Sequence, residues 1–128
     1  MIKLVFCLRR QPHLSREEFQ RYWRERHAPL VREAAAALGA RRYVQVHTLT
    51  SPVNEGLRRG RGGPEEYDGV AELWFDSLDT LVASGATPEG RAAGRRLLED
   101  ERRFIDLARS PVWIAEEYEV VAPSPAAR

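Results

Sequence analysis

Gly69-Val70-Ala71-Glu72-Leu73-Trp74-Phe75 is the stretch on which the fold turns. Side chains alternate across a strand, so Ala71, Leu73 and Phe75 line one face and Val70, Glu72 and Trp74 the other. Upstream, Ser51 to Asp68 holds Pro52, Gly56, Gly60, Gly62, Gly63 and Pro64, interleaved with Arg58, Arg59 and Arg61. That composition reads as a long flexible connection. Before it, Arg42 to Leu49 alternates again, with Val44 and Val46 set between Tyr43, Gln45 and His47, a strand with one polar side. Ile2 to Leu8 is a further strand, with Ile2, Leu4, Phe6 and Leu8 on one side and Lys3, Val5 and Cys7 on the other.

A helix lies between the first two strands. Ser15 and Glu18 form a capping box at its start, and Phe19, Tyr22, Trp23, Leu30 and Ala34 recur at helical spacing. Pro29 has no backbone N–H and crowds the preceding turn, which predicts a kink or break around His27 and Ala28; Gly39 ends the helix. Downstream of Phe75, Asp76 or Ser77 caps a short turn through Val82. Thr87-Pro88 opens a second long helix with the stripe Leu97, Leu98, Phe104, Ile105 and Ala108, stopped by Pro111. Val112 to Val121 is rich in Val, Ile, Trp and Tyr and predicts a fourth strand. Residues 1–121 then make up the domain, and Ala122 to Arg128 a flexible tail.

The order β-α-β-β-α-β is that of the split βαβ, ferredoxin-like motif, an α+β architecture in which both helices lie on one face of a four-stranded antiparallel sheet. The other face, expected to carry Trp74, Tyr43 and Val5, needs cover of its own. A second copy of the chain supplies that cover by joining two open faces into a dimeric α+β barrel, so the sequence predicts a homodimer.

The chain's 128 residues suit one domain. With 43% hydrophobic and 30% charged residues it can bury a core and falls outside the disordered class. Twenty basic against nineteen acidic residues, a net charge of +1, argue against a nucleic-acid partner. No apolar run approaches the roughly 20 residues of a spanning helix, which argues against a membrane. Cys7, the one cysteine, makes no internal disulfide, and no charged leader precedes Ile2; the chain reads as cytoplasmic. His13, His27 and His47 lack zinc-ligand spacing, and Gly60, Gly62 and Gly63 lack phosphate-loop spacing. Neither a metal nor a nucleotide cofactor is expected.

Four segments carry a likeness to a known family: Ile2-Lys3-Leu4-Val5, Leu14-Ser15-Arg16-Glu17-Glu18-Phe19, Tyr22-Trp23-Arg24-Glu25-Arg26-His27-Ala28-Pro29-Leu30 and Tyr67 through Phe75. Together they resemble the EthD family of the dimeric α+β barrel superfamily. The resemblance implies a ligand cavity between helices and sheet or within the barrel mouth, and chemistry without a nucleotide cofactor. Relatives in that superfamily include polyketide cyclases, cofactor-free quinone-forming monooxygenases, lactone isomerases, decarboxylases or dehydratases of aromatic intermediates, and haem-binding enzymes. Fold alone does not choose among these.

His27 lies one turn after Trp23, where an imidazole serves either as a general acid or base or as a cap on the broken helix end. His47 shares a strand side with Tyr43 and Gln45, a pattern that fits a polar cavity lining or an exposed strand. Glu72 stands between Val70 and Trp74; enclosed in a barrel, its carboxyl becomes a base poised near neutrality unless it pairs with Arg9 or Arg42. Trp74, Trp113, Tyr43 and Tyr118 suit the walls of an aromatic-ligand pocket, to which Tyr22 adds a further ring. These residues point to a cofactor-independent enzyme for a small hydrophobic carbonyl or phenolic compound, which the resemblance implies is a polyketide or aromatic intermediate. It would act as a cyclase, dehydratase, decarboxylase or isomerase, with His27 or His47 moving a proton together with Glu72 or Tyr43. The alternatives are direct reaction of a deprotonated phenol with oxygen, haem held by His27 or His47, and a ligand-binding auxiliary protein without catalysis.

Overall fold

β1 (Ile2–Leu8) pairs antiparallel with two strands distant in sequence, which places it inside the sheet. β3 (Gly69–Phe75) lies on one side and β4 (Val112–Glu116) on the other, with β2 (Arg42–His47) beyond β3, giving the order β2-β3-β1-β4. The computed structural model describes residues 1–125; residues 126–128 of the expected tail lie outside the described residues. The architecture is the expected ferredoxin-like α+β fold.

Register decides which side chains meet the helices. Leu4 lies opposite Leu73 and Ile114, and Phe6 opposite Ala71 and Val112. Directly opposed residues share a face, so these form the helix side. β2 aligns Tyr43 with Leu73, Gln45 with Ala71 and His47 with Gly69, which puts its polar side on that same face. The expectation that Tyr43 shares the uncovered face with Trp74 and Val5 is therefore corrected. Alternation separates two sets of side chains but does not say which set faces the core, and a one-residue change of register exchanges them.

The helix layer begins with α1 (Arg16–Tyr22), whose Ser15–Glu18 capping box is present as expected. The break expected at Pro29 takes the form of a single π turn, Trp23–His27, in which Ala28 N–H bonds back to Trp23 O; α2 (Ala28–Leu38) follows directly. Such wide turns inside helices recur at functional sites. Gly39 ends α2 in the left-handed conformation at φ 75°. Gly69 is required for another reason: a Cβ there would lie 2.5 Å from the Trp23 ring, so only glycine lets the indole lie on the sheet. Leu8, Phe19, Trp23, Ala71, Phe104 and Ile105 form the buried core. Beside it, the buried Asp68 carboxylate accepts from Arg10 at 2.7 Å and Arg16 at 2.9 Å, tying β1 and α1 to the start of β3.

Several boundaries differ from expectation. Residues 51–68 contain a helix, α3 (Pro52–Arg61), capped by Ser51 and ended by Gly62 in the left-handed conformation. No residue of it is buried, so its stabilisation is local, including the Arg59–Glu55 pair and the Arg58–Glu66 pair at 3.0 Å. α4 (Leu78–Gly85) is capped by Ser77. α5 starts at Pro88 as expected but ends at Phe104 rather than near Pro111. There the chain turns extended and bonds to the β1–α1 connection: Gln11 N–H donates to Phe104 O, and Asp106 N–H to Arg9 O. Ile105 is nevertheless buried, while Leu98 and Ala108, assigned to the same stripe, are exposed. β2 stops at His47, and β4 stops at Glu116 rather than Val121. β1 begins opposite Glu116, at Ile2, so residues past Glu116 have no ladder to join.

Candidate active site

The π turn and α5 meet above the sheet and bring together residues far apart in sequence. His27 is only 4% exposed, and its Nδ1 lies 2.7 Å from Asp100 Oδ2. A carboxylate only accepts, so Nδ1 carries the proton and Nε2 is the basic nitrogen. The other Asp100 oxygen accepts the Tyr22 hydroxyl at 2.6 Å, and Asp100 itself is 8% exposed. The arrangement is a relay: Tyr22 donates to Asp100, and Asp100 orients His27. Phe104, with its ring centroid 5.0 Å from the imidazole, packs against His27. Burial pushes the His27 pKa below its ordinary value, against the opposing pull of Asp100, so the imidazole is neutral at neutral pH. Burial, reinforced by Asp100, raises the Tyr22 hydroxyl above 10 and keeps it a donor.

His27 lines a cavity of about 50 Å³ between helices and sheet, together with Trp23, Tyr43, Leu73 and Glu101. The neighbouring Asp100 is already engaged, but the Glu101 carboxyl has no hydrogen-bond or ion-pair partner among the described residues. Its burial, and secondarily the charge of Asp100, lift its pKa from 4.5 to about 7. The Tyr43 hydroxyl oxygen accepts from Gln45 Nε2 at 2.9 Å, which leaves its own proton available to a ligand; burial raises its pKa. Gln45 Nε2 also donates to Trp23 O at 3.0 Å, the carbonyl on which the π turn closes. Gln45 Oε1 in turn accepts from His47 Nε2 at 2.8 Å, and the His47 ring stacks on Trp23 with centroids 4.5 Å apart. Burial, aided by the Arg24 charge, lowers the His47 pKa.

The structure thus gathers Tyr22, His27, Tyr43 and, through Gln45, His47 on the helix side. It does not bring Glu72 to them. Glu72 lies opposite Val5 on the other face of the sheet, where it pairs with Lys3 at 2.7 Å rather than with Arg9 or Arg42. A proton transfer shared by His27 and Glu72 is therefore ruled out by the sheet between them. Trp74 is also on that face, beneath the cations of Lys3 and Arg42 at 5.1 and 4.5 Å from its ring, with its indole N–H donating to Glu117. Trp113 lies opposite Val5 and is 47% exposed; Tyr118, 82% exposed, lies beyond the end of β4. These aromatic side chains do not wall the helix-side cavity.

Asp100 and Glu101 are the site residues that sequence reasoning missed. The signal was available. Both fall at the third and fourth positions between Leu97 and Phe104, the buried stripe of α5, where a carboxylate is out of place.

The haem reading does not fit these side chains. One face of the His47 ring is stacked on Trp23 and its Nε2 is bonded to Gln45, and the cavity at His27 is far smaller than a porphyrin. Among the described residues, no group of three or more His, Cys, Asp or Glu is placed to hold a metal ion, and no helix is long and apolar enough to cross a membrane.

Fold and site together define a ferredoxin-like α+β domain with its ionisable groups gathered between the helices and the sheet. The chain belongs to the EthD family: the sequence model of the EthD domain matches residues 11–108. Among solved structures it is similar to an EthD family protein from Bacillus halodurans, 24% identical with a TM-score of 0.60, covering 92% of this chain and 100% of that one. It is also similar to a dimeric protein of ferredoxin-like fold from Bacteroides fragilis, 14% identical, TM-score 0.56, covering 91% and 95%. A third is SnoaB, a cofactor-independent oxygenase from Streptomyces nogalater, 13% identical, TM-score 0.55, covering 95% and 97%. At these identities the likeness carries the fold and leaves the reaction to the site.

Proposed function

We propose that the protein is a cofactor-independent acid–base enzyme that removes a proton beside a carbonyl, or from a phenol, of a small hydrophobic compound. The observation that carries this reading is the Tyr22–Asp100–His27 relay, which leaves one imidazole nitrogen basic at the wall of an apolar cavity. His27 Nε2 takes the proton, and the electron pair it leaves moves onto the substrate oxygen. Tyr43 or the protonated Glu101 then donates a hydrogen bond to that developing oxyanion. Cyclisation, dehydration and isomerisation start from the enolate so formed; decarboxylation reaches the same enolate by loss of carbon dioxide, with His27 then returning a proton to carbon. The likeness to SnoaB favours a second outcome, in which the deprotonated phenol reacts with oxygen.

Anthrone in deuterated buffer without oxygen reads the first step alone, through loss of its methylene proton signal. The protein should accelerate that exchange, His27→Ala should lower the acceleration by about 10² to 10⁴-fold, and Glu72→Gln should leave it unchanged. Wild-type exchange no faster than buffer, or insensitive to His27→Ala, refutes the reading. Admitting oxygen then separates the two outcomes by whether a quinone forms.

The open face of the sheet supports a homodimer, because Val46 and Trp113 are exposed there and the similar Bacteroides fragilis protein is described as dimeric. Light scattering should give twice the chain mass, and Trp113→Glu should halve it; a monomeric wild type refutes the pairing.

A further inference from the structure

A second, larger cavity of about 470 Å³ adjoins the site, within the roughly 300–1,000 Å³ of small-ligand pockets. The sheet contributes Leu4, Leu73 and Phe75 to its walls, and the helices contribute Leu38, Leu81 and Leu98. Two polar side chains reach it, Glu101 and Ser110. The Ser110 hydroxyl is already committed: it donates to Asp106 O at 2.7 Å and accepts from Arg9 N–H at 2.9 Å. Glu101 is uncommitted, and it also lines the small cavity of His27 and Tyr43. The apolar chamber therefore meets the acid–base groups at one end, and at that end alone does it offer a ligand a charged or hydrogen-bonding side chain that is free to respond.

A ligand hydroxyl pressed against the sheet floor of this chamber, at Leu4, Leu73 and Phe75, would give up its water without gaining a side-chain partner. Such an unmet group weakens binding by roughly 5- to 150-fold. We propose that the substrate is a sparsely oxygenated hydrocarbon, with one carbonyl or phenolic end at Glu101 and His27 and an aliphatic or unsubstituted aromatic body in the chamber, and that polyhydroxylated ring systems are rejected. This rests on the acid–base reading above and narrows its substrate class.

Calorimetric titration of the full chain with 4-n-alkylphenols, and with counterparts carrying a mid-chain hydroxyl, tests it. Affinity should rise about 4-fold for each methylene until the chamber is full, and the mid-chain hydroxyl should cost at least about 5-fold. Leu81→Trp should shorten the longest alkyl group that still gains affinity while leaving phenol itself unaffected. Leu98→Trp, at an exposed wall position, serves the same purpose if Leu81→Trp does not fold. Equal affinity for the hydroxylated counterparts, or a chain-length dependence that the folded tryptophan variant does not alter, overturns the proposal. Anthrone exchange distinguishes the two failures: if it persists, only the substrate class is wrong, and if it is absent, the acid–base reading falls as well.

Discussion

Glutamine in place of Glu101 should stabilise the protein at about pH 8 and change nothing at about pH 4. α5 carries this carboxyl into the cavity wall beside Phe6, Leu73 and Leu97, where no cation among the described residues is bonded to it. In the unfolded chain it loses its proton near 4.5; in the folded protein it keeps the proton until about 7. Between those values the folded state binds the extra proton, so the free energy of unfolding falls as pH rises through the window and is level on either side. At about 1.4 kcal/mol for each tenfold change in the proton equilibrium, the fall is on the order of 3 kcal/mol. Glutamine has nearly the same volume and no charge to desolvate, so its unfolding curve lacks this slope. His27 acts in the opposite sense: its depressed pKa contributes stability that is lost as pH falls below 6.5. Both proteins keep His27, so the difference between them isolates Glu101. Urea unfolding at several pH values across the window, with equal m-values for the two proteins, measures that difference directly. A difference that stays constant from about pH 4 to about pH 8, or a variant less stable than wild type at the upper end, refutes the placement of an unpaired carboxyl in this wall.

Asp100→Asn leaves one acceptor oxygen where Tyr22 and His27 each use one. With the Tyr22 hydroxyl keeping it, the amide NH2 faces His27 Nδ1, so long-range ¹H–¹⁵N spectra should show the imidazole proton moved from Nδ1 toward Nε2 and anthrone exchange should fall by roughly 10² to 10⁴-fold; an unchanged tautomer refutes the relay. Gly69→Ala puts a methyl 2.5 Å from the Trp23 ring and 2.9 Å from Val46 O, and thermal unfolding should register a loss of about 1–3 kcal/mol; an unchanged melting temperature shows that the indole does not rest on that glycine.

The features legible in the sequence are those encoded within one element. The alternation in Gly69–Phe75 and Ile2–Leu8, the Ser15–Glu18 box and the Thr87-Pro88 start each need only a few neighbouring residues, and each stands where expected. α3 escaped notice although Ser51, Pro52 and Gly62 are ordinary start and stop signals, because its glycines weaken the helical pattern and it buries nothing that would give it an apolar stripe. The site is a different kind of fact. Alternation identifies Tyr43, Gln45 and His47 as one set, but the pairing of β2 with β3 turns that set toward the helices and leaves Glu72 and Trp74 on the far side. His27 and Asp100 are 73 residues apart and meet because the π turn that ends at His27 and the packing of α2 on α5 both hold. No spacing within either segment encodes that distance. A pair of carboxylates at positions 100 and 101 of an otherwise apolar stripe does, however, mark where a core must make room for charge. A stripe is therefore read for function from the members that violate it, and here the violating residues are the ones that reach the cavity and the imidazole.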